Sequence, residues 1–331
     1  MRTLLVSINF LVAAMAVVLL PGSSRAEAAE PPKLREVFDI RYHDADYHQA
    51  LDVIGPPDAR NAPVVIVVHG GSWMVGDKDF YGRYRGVGRF LAQKGMVAVL
   101  INYRLSPAVK HPEHVKDVAR AYAWVRHNIT KYGGDPDRIF LCGHSAGGHL
   151  VALLATDDTY LKDPALKLGE KDRKALRGVI AVSGVYRIPP PAEYDHVAAG
   201  VAWLWLRRAG IETDGSPTLG AMVAGAGKGL NPFRRAFGED PEVCKQASPL
   251  THVHAGLPPF LLINAEHDLP TLPEMAHDFA AALRKAGCAF DVLEAPGRSH
   301  NNVLFHLRDR DDVVARAICE FITTYSDSRR P

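Results

Sequence analysis

The sequence predicts an α/β fold: a mostly parallel central sheet with helices on both faces and an inserted cap. Three observations lead there. Short β-branched runs recur along the chain, amphipathic helical patterns separate them, and one long irregular segment interrupts the alternation. With 331 residues, 47% hydrophobic and 23% charged, the chain has enough apolar material for one large domain, expected over residues 31–325.

The first thirty residues stand apart. Arg2 precedes an apolar stretch from Leu4 to Leu20, and Pro21-Gly22-Ser23-Ser24-Arg25-Ala26 follows. A basic start, an apolar middle and a small-x-small end predict a secretory signal peptide over residues 1–26, leaving no stable membrane span after cleavage. An uncleaved N-terminal membrane anchor is the alternative, because the stretch approaches the length of a spanning helix. Either reading puts the body outside the cytoplasm, periplasmic or secreted.

In the body, "APVVIVVHGG" (62–71) is a continuous β-branched run stopped by two glycines, the pattern of a strand buried on both faces. "GMVAVLINYRL" (95–105), "RIFLCG" (138–143), "GVIAVSGVY" (178–186), "PFLLINAE" (259–266) and "AFDVLEAPG" (289–297) are further strands by the same criterion. Residues 115–130 place Val115, Val118, Ala119, Tyr122, Val125 and Ile129 on one helical stripe ahead of Gly133-Gly134, and 272–286 repeat the scheme ahead of Gly287. Residues 187–247 are proline-rich, then aromatic, then glycine-rich, and are expected to cap the strand ends. A plain surface excursion or an interface segment is the alternative.

Composition removes some functions. The formal net charge is +2 and Lys and Arg occur only in short runs, so the electrostatic footprint of a nucleic-acid binder is missing. Cys142, Cys244, Cys288 and Cys319 show no metal-ligand spacing, and no metal site is expected. Export permits a disulfide, for which Cys288 and Cys319 are the candidate pair.

In a parallel sheet the functional groups gather beyond the carboxyl ends of the strands. There "IFLCGHSAGGHLVALLAT" (139–156) sets Ser145 between Gly143 and Gly147, at a junction of strand and helix. A serine on so sharp a turn needs small residues two positions before and after it. A hydroxyl needs a base, and the base needs an orienting acid. His300 in "APGRSHNN" follows the last strand and Asp268 in "NAEHDLP" follows the one before, so the order is Ser145, Asp268, His300. Glu266 and His267 compete with Asp268 by position only. His252, His254 and His306 lie away from strand ends, and His144 is expected to pack or hydrogen-bond locally. Beyond the first run, His69-Gly70-Gly71-Ser72-Trp73 offers backbone N–H groups with little side-chain obstruction. Those of Gly71 and Ser72, or Gly70 in their place, are expected to join Ala146 in holding an oxyanion.

On these residues the chain resembles the α/β-hydrolase superfamily, and within it the carboxylesterase branch of hormone-sensitive-lipase-like and feruloyl-esterase-like enzymes. Kynurenine formamidases and isoprenylcysteine methylesterases are relatives. The matching segments are "HGGSWMVGDK" (69–78), the stretch from "INYRLSP" through "GHSAGGHL" (101–150), "SPLTHV" (248–253), "PPFLLINAEHD" (258–268) and "GRSHNN" (297–302). The resemblance implies Ser145 as nucleophile, Asp268 as acid and His300 as base, with Gly71, Ser72 and Ala146 as oxyanion donors. It implies a small-molecule ester substrate, an acyl-enzyme intermediate and no cofactor. Ser72 and Trp73 stand where the lipase pattern carries a third glycine, which leans toward feruloyl esterases and formamidases. An arylformamidase-type amidase is therefore the alternative activity, and a non-catalytic binding protein on the same fold a more distant one. Residues 187–247 match no pattern.

Overall fold

Residues 33–194 and 231–326 are described by the computed structural model. The expected signal peptide and residues 195–230 of the expected cap lie outside these described residues. Strand β3 (Ala62–Val68) shows why its sequence is apolar throughout: Val64, Ile66 and Val68 enter one hydrophobic cluster and Val65 and Val67 the other. Successive side chains of a strand point to opposite faces, and here both faces are covered.

The sheet has the order β1-β2-β4-β3-β5-β6-β7-β8. Its other strands are β1 (Arg35–Arg41), β2 (Ala50–Gly55), β4 (Val97–Ile101), β5 (Gly134–His144), β6 (Leu176–Val182), β7 (Phe260–His267) and β8 (Phe290–Ser299). Strands β3 to β8 pair in parallel, whereas β1 and β2 pair antiparallel with each other and β2 with β4. The helices are α1 (Arg83–Gln93), α2 (Glu113–Asn128), α3 (Ala146–Thr156), α4 (Glu170–Arg173), α5 (Pro232–Phe237), α6 (Pro241–Gln246), α7 (Leu272–Lys285) and α8 (Val313–Ser326). Helices α2, α3 and α7 cover one face through Val115, Tyr122, Leu150 and Phe279; α1 and α8 cover the other through Phe90, Leu91, Ile318 and Phe321. Among the described residues no helix is long and apolar enough to cross a membrane.

The candidate disulfide is corrected. All four cysteines are free. Cys288 packs against the cluster that includes α7, and Cys319, on α8, packs against the cluster on the opposite face, so the sheet stands between them.

The described ends of the 187–247 segment are embedded in the core. Tyr194, Phe233, Phe237, Cys244 and Ala247 belong to the same cluster as α3, and the Asn231 amide donates to the Tyr194 carbonyl at 3.0 Å. Asn231 and Asp240 cap α5 and α6 with their side-chain oxygens.

Candidate active site

Three parallel strands deliver the predicted residues to one end of the sheet. Ser145 follows β5, Asp268 follows β7 and His300 follows β8. The turn at Ser145 is as tight as its glycines suggest. A Cβ on Gly143 would come within 2.2 Å of the Gly147 carbonyl oxygen, and one on Gly147 within 2.2 Å of the Val68 oxygen. Ser145 itself has φ 55° and ψ −118°, a left-handed backbone that a non-glycine residue holds at a cost of about 1–3 kcal/mol. Its amide is fixed to the Val182 oxygen at 2.9 Å.

The three side chains meet. The Ser145 hydroxyl lies 3.0 Å from His300 Nε2, and His300 Nδ1 lies 2.7 Å from Asp268 Oδ1. An ionised carboxylate only accepts, so Nδ1 carries the proton and Nε2 is left to accept from the serine. Asp268 is saturated with donors: the Leu269 amide at 2.8 Å on Oδ1, and on Oδ2 the Ser183 hydroxyl at 2.6 Å and the Ala265 amide at 3.1 Å. Burial raises the Asp268 pKa. The hydrogen bond and charge of His300, then the Ser183 and Ala265 donors, outweigh burial and hold it below the usual carboxylate range. Glu266 is turned away, accepting from the exposed Gly297 amide at 2.6 Å.

Sequence reasoning missed Ser183. It directly follows β6, which lies between the strands of Ser145 and Asp268, and that position is the signal that could have found it. It also missed Tyr84, and it understated His144. The His144 Nε2–H donates to the His300 carbonyl at 2.8 Å, and Nδ1 accepts from the Tyr84 hydroxyl at 3.3 Å. Tyr84 in turn accepts from the Gly70 amide at 2.8 Å. Gly70 is thereby engaged, whereas the amides of Gly71, Ser72 and Ala146 have no acceptor among the described residues. Gly71, Ser72 and Trp73 all have positive φ (117°, 53° and 59°), and a Cβ on Gly71 would overlap the Val75 carbonyl oxygen at 2.0 Å. The Trp73 indole anchors this turn, donating to His149 Nδ1 at 3.2 Å, while His149 donates to the Ala247 carbonyl at 2.7 Å. Phe233 and Phe237 pack on the indole, with ring centroids 5.8 and 4.9 Å away. The ends of the 187–247 segment thus brace the turn carrying Gly71 and Ser72. Ser145, His300, Gly71 and Ser72 open into a cavity of about 650 Å³.

Four buried imidazoles surround this arrangement. Burial is the leading cause that pulls His69 and His114 down to about 4 and His144 and His149 to about 3. Protons therefore bind the unfolded chain first. The stabilisation is full above the ordinary histidine pKa and is lost as pH falls from there toward those values. Each group should contribute on the order of 1–2 kcal/mol between pH 7 and 5, so the thermal midpoint should drop by roughly 10 °C. A midpoint that stays level over that interval in scanning calorimetry would contradict neutral burial of these rings.

Comparison with known proteins agrees with this architecture. The BD-FAE family model matches residues 51–198, and the prolyl oligopeptidase family model matches residues 232–329. Versiconal hemiacetal acetate esterase of Dothistroma septosporum is 30% identical over 84% of this chain and 78% of its own length. Esterase LipQ of Mycobacterium tuberculosis is 34% identical over 92% of this chain, which spans 64% of LipQ. The chain thus covers somewhat less than two thirds of that relative. Esterase B from Lactobacillus rhamnosis superimposes with a TM-score of 0.66 at 22% identity, covering 89% of this chain and 87% of that one. That likeness is one of fold. On these grounds the chain belongs to the α/β-hydrolase carboxylesterase family.

Proposed function

We propose that the protein is a serine esterase that cleaves carboxylic esters of small molecules through an acyl-enzyme. One observation carries the reading: an unbroken hydrogen-bonded line from Ser145 through His300 to Asp268, beside amides of Gly71, Ser72 and Ala146 that lack acceptors. His300 takes the hydroxyl proton as Ser145 attacks the carbonyl carbon. The carbonyl oxygen becomes an oxyanion, which the three amides hold without reorganising. Collapse expels the alcohol with the proton from His300, and water then repeats the sequence on the acyl-serine. Asp268 keeps the imidazole in the accepting tautomer and stabilises its charged form.

The test is direct. The purified protein should hydrolyse p-nitrophenyl butyrate and be labelled at Ser145 by a fluorophosphonate. A folded protein that does neither would be the non-catalytic alternative. The departure at Ser72 and Trp73 favours an arylformamidase-type amidase as the second reading. N-formylaniline cleaved faster than phenyl formate at equal concentration would replace the first reading with it.

Two further parts of this reading concern segments that lie wholly or partly outside the described residues. Residues 1–26 direct export, supported by their charge and apolar pattern; an exported protein that retains Met1 on N-terminal sequencing would contradict cleavage. Residues 187–247 cap the cavity, supported by the packing of Phe233 and Phe237 on Trp73. Replacing 195–230 by a short linker should flatten the preference among acyl chain lengths, and an unaltered profile would overturn the cap.

A further inference from the structure

The wall of the catalytic cavity carries a cation with no carboxylate partner among the described residues. Arg83, the first residue of α1, is exposed and lines the cavity together with Phe80 and Phe305. Its guanidinium carbon stands 5.9 Å from the Phe80 ring centroid and 5.5 Å from that of Phe305, two faces that limit its orientation. Arg83 and Phe305 also border a second hollow of about 180 Å³, where Arg308 joins them beside Leu304 and Leu307. Among the described residues no Asp or Glu lines either cavity. Neither guanidinium has a hydrogen bond or ion pair with a described residue. The acids nearby are committed elsewhere: Glu36 is held by two nitrogens of Arg89 at 2.7 and 2.9 Å and feels Arg308 only as the weakest of its charge contacts, and Asp79 is held by Arg85 at 3.3 Å. Most other arginines of the body have found carboxylates, Arg104, Arg126 and Arg298 among them. Arg83, at the mouth of the reacting site, has no carboxylate partner among the described residues.

The side of the site they occupy is readable from ring contacts. In acyl transfer the base returns its proton to the departing alcohol, so the alcohol lies beside His300. The His144 ring is 5.0 Å from that of His300 and 5.9 Å from that of Phe305, and Arg83 stands over the far partner of that chain. Resting on the esterase reading, we propose that the preferred substrates are esters whose alcohol part carries a carboxylate. Arg83 is the specificity-determining residue and Arg308 adds to the field in the adjoining hollow. A planar guanidinium suits this task, because it meets a carboxylate with two parallel hydrogen bonds.

Matched acetates decide it: 4-acetoxybenzoate, with the anion on the alcohol side, against neutral 4-acetoxybenzamide, with kcat/KM measured from release of the phenol. The wild-type protein should favour the anionic ester by roughly tenfold, as for a partly exposed charge-assisted pair. Arg83→Gln should bring the ratio to about one, and Arg83→Lys should leave it between the two. The wild-type ratio should shrink when NaCl is raised from about 0.05 to 0.5 M, because exposed charges are screened at the shorter Debye length. A wild-type ratio of one or less, or a preference that Arg83→Gln and salt leave unmoved, overturns the proposal. Failure of the esterase reading would look different: neither acetate is cleaved, or Ser145→Ala protein cleaves both as well as wild type.

Discussion

Ser145→Ala should lower kcat for p-nitrophenyl butyrate by about 10⁶-fold, the order seen when a triad nucleophile is removed. The Ser145 oxygen stands 3.0 Å from His300 Nε2, and among the described residues no other hydroxyl is hydrogen-bonded to that nitrogen. What should survive is the modest acceleration that amides and binding alone provide. Because the residues of a triad act as a unit, His300→Ala should cost nearly as much, and the double variant little more than either. The fold should persist, since the alanine keeps the Ser145 amide bond to Val182 and the Cβ. Ser145→Gly should lose as much activity while raising stability by releasing the left-handed strain at φ 55°. Retention of more than about 1% of wild-type kcat by pure, folded Ser145→Ala protein would contradict the mechanism outright.

The parts legible in the sequence were those where one local rule has one reading. The apolar runs of β3 to β7 are buried on both faces by packed helices and read plainly, whereas β8 is an edge strand of mixed sequence that buries only Ala295. The Gly143 to Gly147 turn is legible because carbonyl oxygens at 2.2 Å exclude any Cβ. β1 and β2 were missed for the opposite reason. β1 is an edge strand with a partly exposed, charged sequence, and β2 carries Asp52 at its centre. That aspartate is fully buried, yet tolerable because Lys78 and Arg85 reach it at 2.8 and 2.9 Å from residues distant in sequence. α1 was hidden by two internal glycines; a Cβ on Gly88 would meet a Leu100 methyl at 2.8 Å, so tertiary packing there overrides helix propensity. α8 is rich in β-branched residues and reads equally well as a strand.

The same distinction runs through the site. Ser145 and Asp268 are each announced by a buried strand and a turn, and His300 by the edge strand and turn that precede it. Ser183 and Tyr84 are not. The only property that marks them is the neighbour they meet, and that neighbour is set by strand order and helix packing rather than by any spacing along the chain. Gly70 illustrates the consequence. Its sequence position qualifies it as an oxyanion donor as well as Gly71, and only the Tyr84 hydroxyl, 2.8 Å from its amide, removes it.

Asp268→Asn should lower kcat by about 10⁴-fold, for a reason visible in its surroundings. Four donors converge on the carboxylate, two on each oxygen, and an amide supplies only one acceptor atom. With its NH₂ toward His300, the imidazole must shift its proton to Nε2 and then faces Ser145 as a donor, unable to act as base. With its NH₂ toward Ser183, that hydroxyl can rotate but the Ala265 N–H cannot, so a largely buried amide loses its partner and the imidazolium loses its counter-charge. Either arrangement strands one backbone donor, at about 1–3 kcal/mol of folding stability. The pH dependence separates this from a merely steric defect. The folded-state pKa of Asp268 is depressed, so the stability it contributes is full above the ordinary carboxylate value and is lost only as pH falls through the depressed one. The gap in urea-unfolding free energy between wild type and Asp268→Asn should therefore be level from about pH 6 to 8 and narrow only below about pH 4. A variant that keeps a tenth of wild-type kcat, or a gap that closes already near neutrality, would remove Asp268 from the role its four donors assign it.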